Sequence, residues 1–139
     1  MYLLDTHVIS ELRKAKTGKV DRNVRNWARS VSPSMLFVSV LSILELEIGI
    51  HLIERRDQAQ GTLLRSWMAD HVLPTFDGRI LTIDTTVALR CAALHVPARR
   101  SDRDALIAGT ALVHGMTIVT RNLSDFEPTG ASVMNPWKA

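Results

Sequence analysis

The chain has 139 residues, enough for one compact domain with a hydrophobic core and too few for two ordinary domains. Its apolar share of 46% and charged share of 22% are ordinary for a globular protein and argue against wholesale disorder. The single cysteine, Cys91, excludes an internal disulfide. No apolar run is long enough to span a membrane, and the opening residues lack a signal-peptide pattern, so we expect a cytoplasmic protein.

The basic residues are mostly arginines. The net charge is only +3, but just four of the 17 basic residues are lysines. The planar guanidinium of arginine suits bidentate contacts to phosphate, which favours a nucleic-acid partner. A GC-rich genome would produce the same bias, so composition alone leaves both explanations open.

The first half of the chain is predicted to alternate strands and helices. The apolar run Tyr2-Leu3-Leu4 is typical of a buried strand, and it delivers Asp5 to the strand's carboxyl end, where open α/β sheets place their ligand sites. Four more elements follow in chain order: a helix capped by Asp21 and broken at 32–34, a strand over 35–40, an apolar helix from about Ser42 to Arg55, and an amphipathic helix around 63–72.

The second half continues the alternation. It comprises a strand over 79–83, a helix capped by Asp84 or Thr85, a helix from about Asp102 to His114 closed by Gly115, a strand over 116–120 and an edge strand over 132–134. We expect the 116–120 strand to be central in the sheet because both of its faces are apolar. The pattern predicts an α/β fold with a parallel sheet covered on both sides.

Several acidic or amide side chains fall at the same edge of this predicted sheet. Glu45 and Asp104 lie in the first turns of predicted helices, Asn122 follows a strand, and Asp125 comes three residues later. Acids that converge with Asp5 would repel one another unless a cation lay between them. An all-oxygen cluster suits Mg²⁺ or Mn²⁺, which can activate water for phosphodiester cleavage.

Each acid also has a purely structural interpretation. The pairs Ser42…Glu45 and Ser101…Asp104 both match the capping box, and Asp5 could equally cap a helix. Spacing alone therefore leaves caps and metal ligands open. Other chemistries have less support, because the chain lacks a P-loop, a dinucleotide fingerprint, zinc spacing of its histidines and a nucleophile elbow.

Five segments, in this order and spacing, resemble the PIN-domain proteins of the VapC/FitB toxin type. They are 3–11 (LLDTHVISE), 42–49 (SILELEIG), 104–108 (DALIA), 119–122 (VTRN) and 135–137 (NPW). The resemblance extends over essentially the whole chain. It implies a single PIN domain over residues 1–139, with an α/β/α sandwich around a central parallel sheet.

The resemblance also implies an activity and a set of site residues. It implies a Mg²⁺- or Mn²⁺-dependent endoribonuclease, the toxin component of a VapBC-type toxin–antitoxin module. Asp5, Glu45 and Asp104 would be the acidic metal-site residues, with Asp5 and Asp104 as direct ligands. Thr6 and Thr120 would contact a metal-bound water or phosphate.

Two positions depart from the family pattern. Asn122 stands where members often carry Asp, and His7 stands where Asn is common. Asp125 would then supply the missing charge, or the site would work with three acids. We count Asn122 and Asp125 among the candidate catalytic residues, and Arg121 among the substrate contacts. Arg99, Arg100 and Arg103 are further candidates for neutralising the RNA backbone.

The resemblance implies partners as well. These are an RNA substrate, a cognate VapB-like antitoxin and a second copy of the chain in a homodimer, with DNA contacted only indirectly through the antitoxin. Two other functions stay open: an inactive PIN-like module that binds nucleic acid or protein, and a phosphohydrolase that uses the same metal site on small molecules.

Overall fold

The computed structural model describes residues 1–138. Its strands are β1 (Tyr2–Leu4), β2 (Leu36–Ser39), β3 (Ile80–Leu81), β4 (Thr117–Val119) and β5 (Val133–Met134). Its α-helices are α1 (Thr6–Arg13), α2 (Arg22–Ser30), α3 (Val40–Arg56), α4 (Gln58–Trp67), α5 (Leu73–Thr75), α6 (Thr85–Leu94), α7 (Asp102–His114) and α8 (Leu123–Phe126). A π-helical turn, Met68–Val72, joins α4 to α5.

The five strands form one parallel sheet in the order β3-β2-β1-β4-β5. Leu4 of β1 is in register with Val38 of β2 on one side and with Val119 of β4 on the other. The predicted parallel sheet is therefore confirmed, and so is β5 as an edge strand. The prediction that the 116–120 strand is central is confirmed in that β4 is an interior strand paired on both sides, and β1 lies in the middle of the sheet.

Helices cover both faces of the sheet. On one face, Leu4 and Val119 pack with residues of α1, α3 and α4, including Val8, Leu46 and Leu64. On the other face, Leu3 and Ile118 pack with α7 and α8. Adjacent residues of β1 thus enter opposite cores, as the alternation of a strand requires. The predicted α/β/α sandwich is confirmed.

The helix boundaries differ from the predictions at two places near the site. Helix α1 was not predicted, although Val8, Ile9 and Leu12 follow helical spacing, and Val8 and Ile9 are buried. Helix α3 begins at Val40 and is capped by Ser39, whose hydroxyl accepts the N–H of Leu41 at 3.0 Å. The predicted start at Ser42 is therefore two residues late. Across residues 1–138, no helix combines the length and apolarity needed to cross a membrane.

Candidate active site at the carboxyl edge of the sheet

Asp5 lies directly after the central strand and is almost fully buried. Its Oδ1 accepts the N–H of Thr6 at 2.8 Å, so the carboxylate caps α1. Its Oδ2 accepts the hydroxyl of Thr120 at 2.9 Å, and Thr120 itself is buried after β4. Asp5 is therefore a helix cap that also faces the site, because one carboxylate has enough acceptor positions for both.

Glu45 reaches the same place from α3. The hydroxyl of Thr6 donates to Glu45 Oε1 at 2.8 Å and lies 3.0 Å from the hydroxyl of Ser42. The capping-box interpretation of Ser42…Glu45 is wrong, because α3 starts earlier and both residues already lie inside it. Ser42 is instead a buried neighbour of Thr6. This leaves Glu45 with no capping role.

Asp104 lies in the first turn of α7, as predicted. The hydroxyl of Ser101 accepts the N–H of Asp104 at 3.4 Å, so Ser101 caps the helix. The Asp104 side chain is mostly buried, with 21% of its surface exposed.

Arg103 joins these three acids. Its Nε lies 2.9 Å from both carboxylate oxygens of Glu45, its Nη1 donates to Asp104 at 3.0 Å, and its Nη2 contacts Asp5 Oδ1. Burial by itself would lower the pKa of Arg103, but the hydrogen bonds and negative charges of Glu45 and Asp5 outweigh it and raise the pKa. The guanidinium is thus held charged among three carboxylates.

Arg103 is the residue whose place the sequence did not reveal. It was one of several loop arginines assigned to the RNA backbone, and in the structure it pairs with the acids instead. The other two of that loop point elsewhere: Arg99 is exposed beside Asp102, and Arg100 donates to the backbone oxygens of Leu94 and Pro128. No local signal could have found this role, because Glu45 and Asp5 lie 58 and 98 residues from Arg103 in the chain.

Asn122 and Asp125 lie outside this cluster. Both side chains are exposed, and within residues 1–138 neither forms a hydrogen bond or an ion pair with Asp5, Glu45 or Asp104. The backbone N–H of Asn122 donates to the Thr120 hydroxyl at 3.1 Å, which ties the loop after β4 to the site. The fourth acidic position is therefore not filled by Asp125 in this arrangement.

A groove of about 300 Å³ lies between α1 and the loop after β4, and none of the three acids is among its lining residues. It is lined by His7, Ser10, Glu11, Lys14, Arg121, Asn122 and Trp137. The Arg121 guanidinium lies 4.8 Å from the centre of the Trp137 ring, close enough for a cation–π contact. The Trp137 backbone is fixed by Asn135 and by Asn23, whose amide donates to the Trp137 carbonyl at 2.7 Å. Basic and aromatic groups thus line this groove.

The donor chemistry of the cluster fits a hard divalent cation. Carboxylate oxygens are the ligands that Mg²⁺ and Mn²⁺ prefer, and here three carboxylates already converge on one positive charge. The three carboxylates are spaced to surround the guanidinium of Arg103. Among the described residues, no group of three or more His, Cys, Asp or Glu side chains is arranged to hold a metal directly.

Comparison with known proteins identifies the family. The profile of the PIN domain matches residues 2–128. The chain belongs to the PIN domain family. It is 35% identical, over the full length of both chains, to the plasmid stability protein StbB of Pseudomonas syringae pv. tomato. It is also 34% identical to the VapC ribonuclease Y4jK of Sinorhizobium fredii and 31% identical to the toxin FitB of Neisseria gonorrhoeae, with 99% of each chain covered.

Solved structures give the same result at the level of the fold. The crystal structure of FitAcB from Neisseria gonorrhoeae matches with a TM-score of 0.91 and 30% identity over the whole of both chains. A toxin–antitoxin complex from Klebsiella pneumoniae matches with a TM-score of 0.64 and 26% identity over 98% of each chain. The resemblance to VapC- and FitB-type proteins is confirmed.

Proposed function

We propose that the protein is a Mg²⁺- or Mn²⁺-dependent endoribonuclease and the toxin of a VapBC-type toxin–antitoxin module in the cytoplasm. The observation that carries the proposal is the convergence of Asp5, Glu45 and Asp104 on one positive charge at the carboxyl edge of the sheet. The full-length similarity to a VapC ribonuclease supports RNA as the substrate.

In this proposal the three acids would hold the metal ion. When bound, the ion would supply a water of lowered pKa and positive charge beside the scissile phosphate. The protein's own contribution is positional: Thr120 and the N–H of Thr6 fix the Asp5 carboxylate, and the Thr6 hydroxyl orients Glu45. These contacts connect the ends of β1 and β4 with α1 and α3, so Asp5 and Glu45 are held in place without the metal.

The groove between α1 and the loop after β4 supports a single-stranded nucleic acid as substrate. Arg121 provides positive charge in it, since Lys14 is paired with Glu11 at 3.1 Å, and Trp137 offers an aromatic face on which a base can stack. A small phosphate monoester would use none of these groups. This favours the ribonuclease over the phosphohydrolase.

We propose a VapB-like antitoxin and a second copy of the chain as protein partners, with DNA reached only through the antitoxin. The antitoxin is supported by the structural similarity to a toxin–antitoxin complex. The second copy is supported by an apolar face on α3, where Leu44, Ile48 and Leu52 are each at least half exposed at four-residue spacing. By contrast, Ile50 of the same helix and Met68 are buried in the core.

The activity is tested by comparing Asp5→Asn with Asp125→Asn on single-stranded RNA in Mg²⁺, Mn²⁺ or EDTA. We expect Asp5→Asn and EDTA to abolish cleavage, and Asp125→Asn to retain most of it, because Asp125 is exposed and outside the cluster. RNA binding without any cleavage would instead indicate the inactive module. Faster hydrolysis of p-nitrophenyl phosphate than of RNA would indicate the phosphohydrolase.

The homodimer is tested by replacing Ile48 with glutamate. We expect the wild-type chain to sediment as a dimer and Ile48→Glu as a monomer with an unchanged circular dichroism spectrum, because the substitution is on an exposed position. Sedimentation of both proteins as monomers would contradict the dimer.

A further inference from the structure

We propose that Arg103 is the resident cation of the acid cluster in the metal-free protein, and that a divalent ion binds there only after the Arg103 side chain has withdrawn. The inference rests on the metal site proposed above and adds a competitor that belongs to the chain itself.

The geometry shows that the guanidinium uses each of its three nitrogens on a different acid. Nε contacts Glu45, Nη1 contacts Asp104 and Nη2 contacts Asp5. The carboxylates therefore surround a planar group and are kept apart by its width. A Mg²⁺ ion needs its oxygen ligands at about 2.1 Å, so the same carboxylates cannot bind it closely while the guanidinium separates them.

The charges lead to the same conclusion. Three carboxylates carry −3, and Arg103 compensates one of these charges while it is in place. With Arg103 withdrawn, the acids repel one another and attract a divalent ion strongly. With Arg103 present, an incoming ion meets both weaker attraction and a like charge at contact distance. Arginine and metal therefore compete for the same oxygens.

Arg103 is also the member of the cluster that is able to move. Its side chain is 31% exposed and lies at the start of α7, whereas the Asp5 side chain is 2% exposed and fixed by the N–H of Thr6 and the Thr120 hydroxyl. A long arginine side chain can swing into solvent without disturbing the helix. Asp5 is the fixed member of the cluster and Arg103 is the exchangeable cation, whereas the Glu45 side chain, 34% exposed, is as open to solvent as Arg103.

Two consequences follow for the protein without metal. The cluster is electrostatically stabilised, so the fold does not depend on an ion. Arg103 weakens metal binding, so a higher concentration of Mg²⁺ or Mn²⁺ is needed to occupy the site than would be needed without the arginine.

The test is Mn²⁺ binding in the absence of RNA, measured by electron paramagnetic resonance of free Mn²⁺, for the wild type, Arg103→Gln, Arg103→Lys and Arg99→Gln. We expect Arg103→Gln to bind Mn²⁺ roughly tenfold or more tightly than the wild type, because a charge at contact distance is removed. Arg103→Lys should be intermediate, since lysine keeps the charge but cannot bridge three acids. Arg99→Gln should match the wild type.

Thermal melting provides the second readout. In EDTA, Arg103→Gln should melt below the wild type, because the acids lose their partner, and Mn²⁺ should raise its melting temperature more than that of the wild type. If Arg103→Gln is unfolded, Arg103→Lys carries the comparison.

The outcomes separate this inference from the proposed function. If Asp5→Asn abolishes Mn²⁺ binding while Arg103→Gln binds as the wild type does, the metal site stands and the competition is refuted. If no variant binds Mn²⁺, the metal site itself is wrong, and the inference is overturned with it.

Discussion

Replacing Thr120 with valine tests how much the hydrogen bond from Thr120 to the Asp5 carboxylate contributes to stability. Thr120 is fully buried, and its hydroxyl donates to Asp5 Oδ2 at 2.9 Å while accepting the N–H of Asn122 at 3.1 Å. Valine has nearly the same shape and no hydroxyl. The substitution therefore removes both hydrogen bonds and leaves one oxygen of a buried carboxylate without a partner.

The magnitude follows from the two opposing changes. A hydrogen bond to a charged group stabilises a protein by about 1.5–3 kcal/mol. The added methyl group of valine offsets about 0.8 kcal/mol of that loss. Asn122 is an exposed residue, so its N–H can bind water once the Thr120 hydroxyl is gone, and the loss of this second hydrogen bond adds little to the destabilisation. We expect a net loss of about 1–2 kcal/mol, which for a chain of this length lowers the melting temperature by about 3–8 °C.

The assay is urea unfolding in EDTA at neutral pH, with Thr110→Val as the matched control. Thr110 is equally buried, but its hydroxyl donates to the Leu106 carbonyl within α7, so its loss should cost less than about 0.5 kcal/mol. The same Thr120→Val change in an Asp5→Asn background should cost less than in the wild type, because the charged acceptor is gone. An equal loss in both backgrounds, or none beyond the control, would refute the reasoning.

Two further predictions concern the packing of α3 against α4. A Cβ on Gly61 would lie 2.8 Å from the backbone Cα of Glu54, so Gly61→Ala should lose about 1–3 kcal/mol of unfolding free energy, whereas Gly49→Ala, with open space around it, should gain about 0.5–1 kcal/mol by the same urea titration. The hydrogen bonds from Arg65 lower the pKa of Glu47 and Glu54 below the ordinary value of 4.5. The stability they contribute is present above that value and lost as the pH falls through the lowered pKa. The melting temperature of Arg65→Met should therefore be below that of the wild type near pH 7 and converge with it toward about pH 3, and a difference independent of pH would contradict this.

The sequence was most informative where a local signal determines local structure. Ser101, Asp84 and Asp21 were recognised as caps or as residues of capping motifs, and each accepts the N–H of a residue three positions later. The cap of α3 was misplaced because two serines, Ser39 and Ser42, both precede an apolar run. In the structure Ser39 accepts the N–H of Leu41 and caps the helix, so Ser42 lies inside it.

The sequence predicted the acids of the site but not the arginine that pairs with them. Asp5, Glu45 and Asp104 follow from their positions at strand ends and helix starts, together with the family resemblance. The role of Arg103 depends on the distance between elements that are 58 and 98 residues apart in the chain, which no local pattern encodes. Similarly, the exposure of Asn122 and Asp125 depends on how the loop after β4 is tied to Thr120.

The strand order has a consequence for biosynthesis. The central strand is the first to emerge from the ribosome, but β4, which completes its pairing, comes more than a hundred residues later. Thr120 is itself held in register by the backbone oxygen of Met134, on the last strand. A nascent chain therefore carries Asp5 without the Thr120 contact that orients it until translation is nearly finished. The proposed site is complete only after β4 and β5 have joined the sheet.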